Sequence, residues 1–435
     1  RRDRRHPHRG RPLTPPTSSE PPRMDASRFL PMTAAERDAR GWGALDILLV
    51  TGDAYVDHPA FGAALLGRAL EATGRRVGIV AQPDWRTPDD VARMGRPRLF
   101  CGVTAGALDS MVAHYTAFRK KRSDDAYTPG GRAGARPNRA SVVYANLVRQ
   151  AFPGLPVVLG GVEASLRRAA HYDWWSDALR RSALLDAKAD LLLYGMAERS
   201  LRAIADSYAA KDDPRGLPGA AFACPWPLPD EVRARLGAWP VEELPPHEDI
   251  AAAPALLVEA TLRMEAQVHR RDCVLVQRAG GRAVVIPPPA EPLSTGELDA
   301  LHALPFTREA HPSYARPVPA LETVRHSVAA VRGCGGGCAF CSLAAHQGRR
   351  IRSRSAGSIL AEVRALAERP DWRGSLTDVG GPTANAWGSI CTADPCACDR
   401  SSCYAPSICP NLRPAQDAYV ALLRRVADLP GVKHV

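Results

Sequence analysis

The sequence predicts an α/β protein in which a doubly wound, Rossmann- or flavodoxin-like domain precedes the first part of a partial (β/α) barrel. Three observations lead to this prediction. Short apolar runs alternate with helical segments from about residue 45 to 209, and glycines follow several of these runs. A second αβ stretch begins near residue 322, and its first strand leads into a loop with three cysteines. The chain has 435 residues, enough for two or three domains.

We predict four segments along the chain. They are a disordered extension at 1–23, a Rossmann-like domain at 24–209, a connecting subdomain at 210–321 and an incomplete barrel core at 322–435. The extension is rich in Arg and Pro and nearly free of apolar side chains, so it cannot offset the entropy lost on ordering. An upstream extension with the native start at Met24 is the simpler explanation for it.

The N-terminal domain is predicted from apolar runs that have the length of buried parallel strands. These runs lie at 46–50, 77–81, 99–103, 157–159 and 191–194. Helical segments separate most of them, at 61–73, 141–152 and 197–209. In such sheets the ligand crevice lies beyond the carboxyl ends of the strands, where glycine permits close backbone approach. Glycines stand at those ends as Gly52, Gly102, Gly160, Gly161 and Gly195.

Four polar residues at or just after strand ends are candidates to line this crevice: Asp53, Asp57, His58 and Glu163. Each could equally cap a helix or face solvent.

The later segments continue the αβ pattern less regularly. A hairpin is predicted from 273–278 with 283–287, and the barrel core from strands at 324–332 and 376–379 and helices at 358–368 and 415–429. A third strand begins at 432–435. Too few residues follow Cys341 for a whole barrel of roughly 200 or more, so we expect a C-terminally incomplete chain that is inactive alone.

Composition narrows the class of protein. The net charge is +11, but nearly all of the 57 basic residues are arginine, which indicates a coding bias, and we do not expect nucleic-acid binding. No apolar run approaches the roughly 18 residues of a membrane span. The 11 cysteines are clustered and no secretory signal precedes them, which favours metal binding in a reducing, cytoplasmic compartment.

The strongest motif is Cys334-x3-Cys338-x2-Cys341. Three thiolates can hold one face of a [4Fe–4S] cluster and leave its fourth iron open for chemistry. Two other sites fit the spacing. His346 could complete a closed Cys3His zinc site, and a ferredoxin-type electron carrier would need a fourth thiolate, of which the nearest is Cys391.

A second group of cysteines follows the second predicted barrel strand, at Cys391, Cys396, Cys398, Cys403 and Cys409. Their spacings match no zinc ribbon. A second metal site, free thiols and disulfides are all open, with the metal site favoured by the resemblance described next.

The loop Cys-x3-Cys-x-Phe-Cys resembles the signature of the radical S-adenosylmethionine (SAM) superfamily. More narrowly, the chain from residue 26 onwards is similar to the YgiQ-type radical SAM family. The matching stretches are Phe29-Leu-Pro-Met, Thr51-Gly-Asp-Ala-Tyr-Val-Asp-His-Pro, Ala81-Gln-Pro-Asp-Trp85, Leu159-Gly-Gly-Val-Glu-Ala-Ser165, His311-Pro-Ser-Tyr314 and Asp378-Val-Gly-Gly-Pro-Thr-Ala-Asn385.

This resemblance implies an enzyme whose reduced [4Fe–4S] cluster cleaves SAM to a 5′-deoxyadenosyl radical. It implies cluster ligation by Cys334, Cys338 and Cys341 and SAM contacts at Gly380 and Gly381, although Pro382 replaces the acidic residue of the family's Gly-Gly-Glu motif. Phe340, just before the last cysteine, would shield the cluster or pack on the adenine of SAM. The partners implied are SAM, a one-electron donor such as flavodoxin or ferredoxin, and a substrate that the resemblance does not name.

A Rossmann-like domain before a radical SAM core also resembles the cobalamin-binding arrangement. That family carries Asp-x-His-x-x-Gly, with the histidine as the cobalt ligand. In the segment Asp57-His58-Pro59-Ala60-Phe61-Gly62 neither the aspartate nor the glycine is in register with the histidine. We therefore do not expect cobalamin.

Overall fold

The computed structural model describes residues 25–382, 385–394 and 398–435; the predicted extension at 1–23 lies outside them. The strands are β1 (Ile47–Thr51), β2 (Val77–Ala81), β3 (Phe100–Thr104), β4 (Val157–Gly160), β5 (His171–Asp173), β6 (Ala178–Arg180), β7 (Leu191–Leu193), β8 (Ala220–Pro225), β9 (Val241–Leu244), β10 (Val274–Ala279), β11 (Arg282–Ile286), β12 (Ser327–Ala329), β13 (Val331–Arg332), β14 (Arg352–Ser353), β15 (Asp378–Gly380), β16 (Ile390–Cys391) and β17 (Leu412–Arg413).

The helices alternate with these strands through much of the chain. They are α1 (Ala34–Ala39), α2 (Gly62–Glu71), α3 (Asp89–Ala92), α4 (Ser110–His114), α5 (Ala140–Ala151), α6 (Gly161–Leu166), α7 (Ala183–Asp186), α8 (Glu198–Ala210), α9 (Asp230–Leu236), α10 (His247–Ala252), α11 (Leu256–Arg270), α12 (Thr295–His302), α13 (Pro319–Val324), α14 (Leu343–Gln347), α15 (Ala356–Ala367) and α16 (Gln416–Ala427). Over the described residues, none of these helices has both the length and the apolar character needed to cross a bilayer.

One nine-stranded sheet dominates the described part of the chain, in the order β2-β1-β3-β4-β7-β8-β11-β10-β9. Its first five strands run parallel, which confirms the predicted doubly wound α/β fold. The sheet then continues through β8, β11 and β10, each antiparallel to the strand before it in this order, and ends with β9, which is parallel to β10. Residues 210–321, interpreted from sequence as a connecting subdomain, therefore supply strands to the same sheet, and the boundary at residue 209 stays a prediction.

A hydrophobic core covers each face of this sheet, as the side chains of β1 show. Its side chains alternate between two cores, with Ile47 and Leu49 packed in one and Leu48 and Val50 in the other. The first core includes residues of α2 and α8, and the second includes residues of α5. Strands buried on both faces are apolar without interruption, which is why the sequence predicted them within one or two residues.

The barrel-like unit has its own core. Strand β12 pairs parallel with β15, as predicted, and both pack with α15 and α16. The predicted strand at 324–332 was partly wrong, because Pro319 opens a helix that continues to Val324. At the predicted third strand, His434 forms a parallel bridge with Ser375.

Buried histidines make the fold sensitive to acid. Burial lowers the pKa of His302 to about 2 and of His171 to about 4, and the pKa of His58 also lies well below its usual value. Between the unfolded pKa near 6.5 and these folded values the unfolded chain binds more protons, so stability falls as pH falls through that window.

We expect the free energy of unfolding to decrease between pH 6.5 and 5. Replacing His302 by Gln should reduce the slope by up to about 1.4 kcal/mol per pH unit, the effect of one proton. Replacing the exposed His434 by Gln is the control and should leave the slope unchanged. Equal slopes for wild type and His302→Gln, measured by urea unfolding, would contradict this prediction.

Candidate cluster-binding site

The three cysteines lie on one loop that is closed at its base. Strands β13 and β14 pair antiparallel on either side of residues 333–351. Within the loop, the Cys334 N–H donates to the Gly348 carbonyl at 3.0 Å and the Cys341 N–H to the Cys338 carbonyl at 3.0 Å. Gly333 has φ +82°, and a Cβ there would lie 2.1 Å from the Arg350 carbonyl oxygen, so only glycine fits.

On this loop Cys338 is exposed, and Cys334 and Cys341 are partly exposed. A Cβ on Gly336 would lie 3.2 Å from the Cys334 Sγ and 3.8 Å from the Cys338 Sγ, so both sulfurs border the space left by this glycine. Phe340 is 93% exposed. In the described ranges no three Cys, His, Asp or Glu side chains converge as ligands. The donor chemistry fits an iron–sulfur cluster, whose usual ligands are cysteine thiolates.

The second cysteine segment packs directly on this loop. The Cys403 N–H donates to the Gly335 carbonyl at 2.7 Å, and a Cβ on Gly335 would lie 3.3 Å from the Cys403 Sγ. A Cβ on Gly337 would lie 2.5 Å from the Ser401 carbonyl oxygen. The second cysteine segment therefore approaches Gly335 and Gly337 too closely for a larger side chain to fit without a shift.

Four of the five cysteines of the second segment are described, and Cys396 lies outside the described residues. Cys403 and Cys409 are linked through a backbone hydrogen bond of 2.8 Å. Burial raises the pKa of the Cys403 thiol; Arg349 opposes this shift, while the nearby thiols of Cys391, Cys409 and Cys398 add to it. The described cysteines of this segment are all free thiols. A second metal site here stays a prediction.

Gly380 and Gly381 lie at the end of β15, beside the strand that leads into the cysteine loop. The Ala330 N–H donates to the Gly380 carbonyl at 2.7 Å. A Cβ on Gly381 would lie 2.4 Å from both the carbonyl oxygen and Cγ1 of Val331. This packing requires glycine at 381 without any cofactor, and SAM contacts at both positions stay predictions.

Replacing Gly381 by Ala should therefore destabilise the unit. Because the clash is with backbone, the strand before Cys334 must shift, and we expect a loss of about 1–3 kcal/mol with reduced iron loading. The matched control is Gly357→Ala on α15, where the nearest atom to a new Cβ is 3.8 Å away. Iron loading and SAM affinity are measured on both variants. Normal stability and iron with weakened SAM binding would instead indicate a cofactor contact.

The cysteine loop docks on the carboxyl edge of the nine-stranded sheet. The His346 ring Nδ1 lies 3.0 Å from the Ser165 hydroxyl, just after β4. Arg332 forms an ion pair with Glu198, just after β7. Burial lowers the pKa of His346 to about 4, so this ring is neutral near pH 7. His346, the fourth donor of the alternative zinc site, thus contacts the other domain.

The four predicted crevice residues are all buried and bonded within the protein. Asp53 lies 3.0 Å from Arg136, and burial raises its pKa to about 6. Glu163 accepts hydrogen bonds from the backbone of Ser110 and Ser141 at 2.8 and 2.9 Å, at the starts of two helices.

Asp57 and His58 connect the sheet to the segment that precedes β12. Asp57 pairs with Arg68 and accepts from the Thr307 N–H at 2.9 Å. The His58 Nε2 lies 3.0 Å from Arg308. The contacts of all four predicted crevice residues are therefore structural.

The residues that join the two parts of the site, Ser165, Glu198 and Arg332, were not predicted from the sequence, and neither was Arg349 beside them. One signal was available. Arginines recur at 349, 350, 352 and 354, immediately after the cysteine loop.

Comparison with known proteins identifies the family. The family model described as Radical SAM N-terminal matches residues 29–327, which end before the cysteine loop. A UPF0313 protein of Thermotoga neapolitana is 49% identical over 417 residues, covering 94% of this chain and 71% of the relative. The chain belongs to the UPF0313 family. Another member, from Geobacter sulfurreducens, is 51% identical over 420 residues, with 94% of this chain and 67% of that protein covered.

The UPF0313 membership and the Radical SAM N-terminal match confirm the radical SAM resemblance. Among solved structures, the radical SAM methyltransferase TsrM of Kitasatospora setae, with tryptophan and a SAM analogue bound, is similar at a TM-score of 0.41 and 18% identity. That likeness covers 77% of this chain and 47% of TsrM, and it is too low to assign ligands to the UPF0313 protein.

Proposed function

We propose that this UPF0313 protein is a radical SAM enzyme in which Cys334, Cys338 and Cys341 hold a [4Fe–4S] cluster with one open iron. With SAM bound there, the cluster would supply a 5′-deoxyadenosyl radical for hydrogen abstraction from a substrate. A flavodoxin or ferredoxin would provide the electron. The protein's own part is to position and shield these groups.

One observation carries this proposal. Three cysteine thiols stand on a single closed loop that follows β12 and β13, next to the end of β15, the parallel partner of β12. The carboxyl ends of parallel barrel strands are where active sites of such enzymes lie. The proposed contacts of SAM are Phe340 on the loop and the backbone of Gly380 and Gly381 at the end of β15, where Gly381 also packs against Val331.

The surrounding residues hold this loop from two sides. His346 and Arg332 attach it to the sheet through Ser165 and Glu198. The segment around Cys403 covers it from the other side through the bond to Gly335. Both contacts would restrict water around a bound cluster, which radical chemistry requires.

The alternative is a non-catalytic iron–sulfur or zinc protein. Anaerobic reconstitution with iron and sulfide separates the two metals, since a cubane cluster gives a brown protein with broad visible absorption and zinc gives a colourless one. We expect the brown protein. A colourless protein that retains stoichiometric zinc under these conditions would overturn the proposal.

A further inference from the structure

A cavity lies between the cysteine loop and the carboxyl edge of the sheet. Its walls come from the end of β7 at Tyr194 and Gly195, from the segment 289–293, and from residues 345–350 after the cysteines. Its volume is about 50 Å³. At roughly 10–15 Å³ for each water, this holds about three to five waters, the size of a small polar group. Ligands of parallel α/β sheets bind at this edge.

The lining of the cavity is strongly basic. Two carboxylates face it, from Glu198 and Glu291. The arginines outnumber them and are Arg199, Arg271, Arg332, Arg349, Arg350 and Arg352. Arg271 and Arg350 pair with Glu291 at 2.6 and 3.5 Å, Arg332 pairs with Glu198, and Arg199 pairs with Glu297, which is not part of the lining. The cavity therefore keeps an excess of positive charge that favours an anion.

Arg349 has the guanidinium edge best suited to that anion. Its Nε and Nη2 atoms are buried and have no hydrogen-bond partner within the described ranges. These two N–H groups point the same way, with the spacing of two oxygens of a carboxylate or phosphate. Buried donors of this kind are normally paired, so this edge suits an incoming acceptor.

Glu198 adds an acceptor to the same cavity. Its Oε1 pairs with Arg332, whereas its Oε2 is buried and without a hydrogen-bond partner in the part of the chain that the structure describes. A ligand that carries a hydroxyl or amino group near its anionic end would satisfy both this oxygen and Arg349.

We propose that this cavity binds a carboxylate or phosphate group of the substrate through a two-point contact with Arg349. The inference rests on the proposed function, because it places the anionic end of the substrate beside the loop that would carry the cluster. Arg349 follows Cys341 by eight residues and lines the cavity.

The test uses inorganic phosphate and acetate as probes of iron-free protein, by equilibrium dialysis and calorimetry. We expect wild type to bind at least one probe, Arg349→Gln to bind it at least tenfold more weakly, and Arg349→Lys to be intermediate because one ammonium cannot make the paired contact. The control is Arg364→Gln, an exposed residue of α15 that removes the same charge. Equal affinity in all variants, or no binding by wild type, would overturn the proposal.

Two further experiments distinguish an anionic group of the substrate from the carboxylate of SAM. The Cys334/Cys338/Cys341 triple Ala variant should still bind the probe. Anion binding is therefore tested independently of whether these cysteines hold a cluster. In iron-loaded protein SAM should not displace the probe. Displacement of the probe by SAM would show that the cavity binds the carboxylate of the cofactor. Loss of iron in Arg349→Gln with unchanged anion binding would show that Arg349 acts on the neighbouring thiols. Either result would overturn the assignment of the cavity to the substrate.

Discussion

Replacing Cys334, Cys338 or Cys341 by alanine is expected to remove the iron–sulfur cluster and SAM binding together. A cubane with one open iron has three protein ligands, so losing one leaves two, too few to hold it. We expect each variant to contain about four fewer iron atoms per chain than wild type. Iron and sulfide analysis after anaerobic reconstitution measures this loss.

Two further variants show whether the lost iron belongs to the first cysteine loop. Cys224→Ala removes a free, buried thiol on β8 and should keep the full iron content. Cys403→Ala shows how much iron belongs to the second cysteine segment. A full cubane retained in the triple Ala variant of the first loop would contradict the ligand assignment.

Replacing Arg136 by Met should cause a large loss of stability in the sheet domain. Its guanidinium is fully buried, lies 3.0 Å from both Asp53 and Asp125, and donates to the Ala105 carbonyl at 2.8 Å. Removing it leaves two buried carboxylates without their counter-charge. We expect the free energy of unfolding to fall by about 3–5 kcal/mol.

The matched control is Arg132→Met on the same segment, where the side chain is exposed. It should change stability by less than about 1 kcal/mol. Adding Asp53→Asn and Asp125→Asn to the Met variant should recover part of the loss, because the buried charges are then removed as well. A loss for Arg136→Met no larger than that of the control would contradict this account.

The sheet was predictable where burial leaves a local signal. The parallel strands from Ile47 to Leu193 are uninterrupted apolar runs. By contrast, β9 (Val241–Leu244) is an edge strand with exposed Val241, Glu242 and Glu243. β8 is rich in alanine and ends in a proline, which are weak strand signals. Residues 210–321 were therefore predicted as less regular than they are.

The site was predictable only where its residues are adjacent in sequence. The spacing of three cysteines indicates a shared ligand set because eight residues cannot place them far apart. The contact of His346 with Ser165 joins positions 181 residues apart and has no local signal. Arg136 stands in a charged, Gly- and Pro-rich loop that composition alone predicts to be exposed.

The most direct test for an open iron is electron paramagnetic resonance of the reduced cluster, with and without SAM. An open iron binds SAM itself, so we expect a clear change in the spectrum of reduced wild type at saturating SAM and no cluster signal from the first loop in Cys338→Ala. A reduced [4Fe–4S] signal that SAM leaves unchanged would show that no iron is open. That result would contradict the assignment of this loop as a SAM-cleaving site.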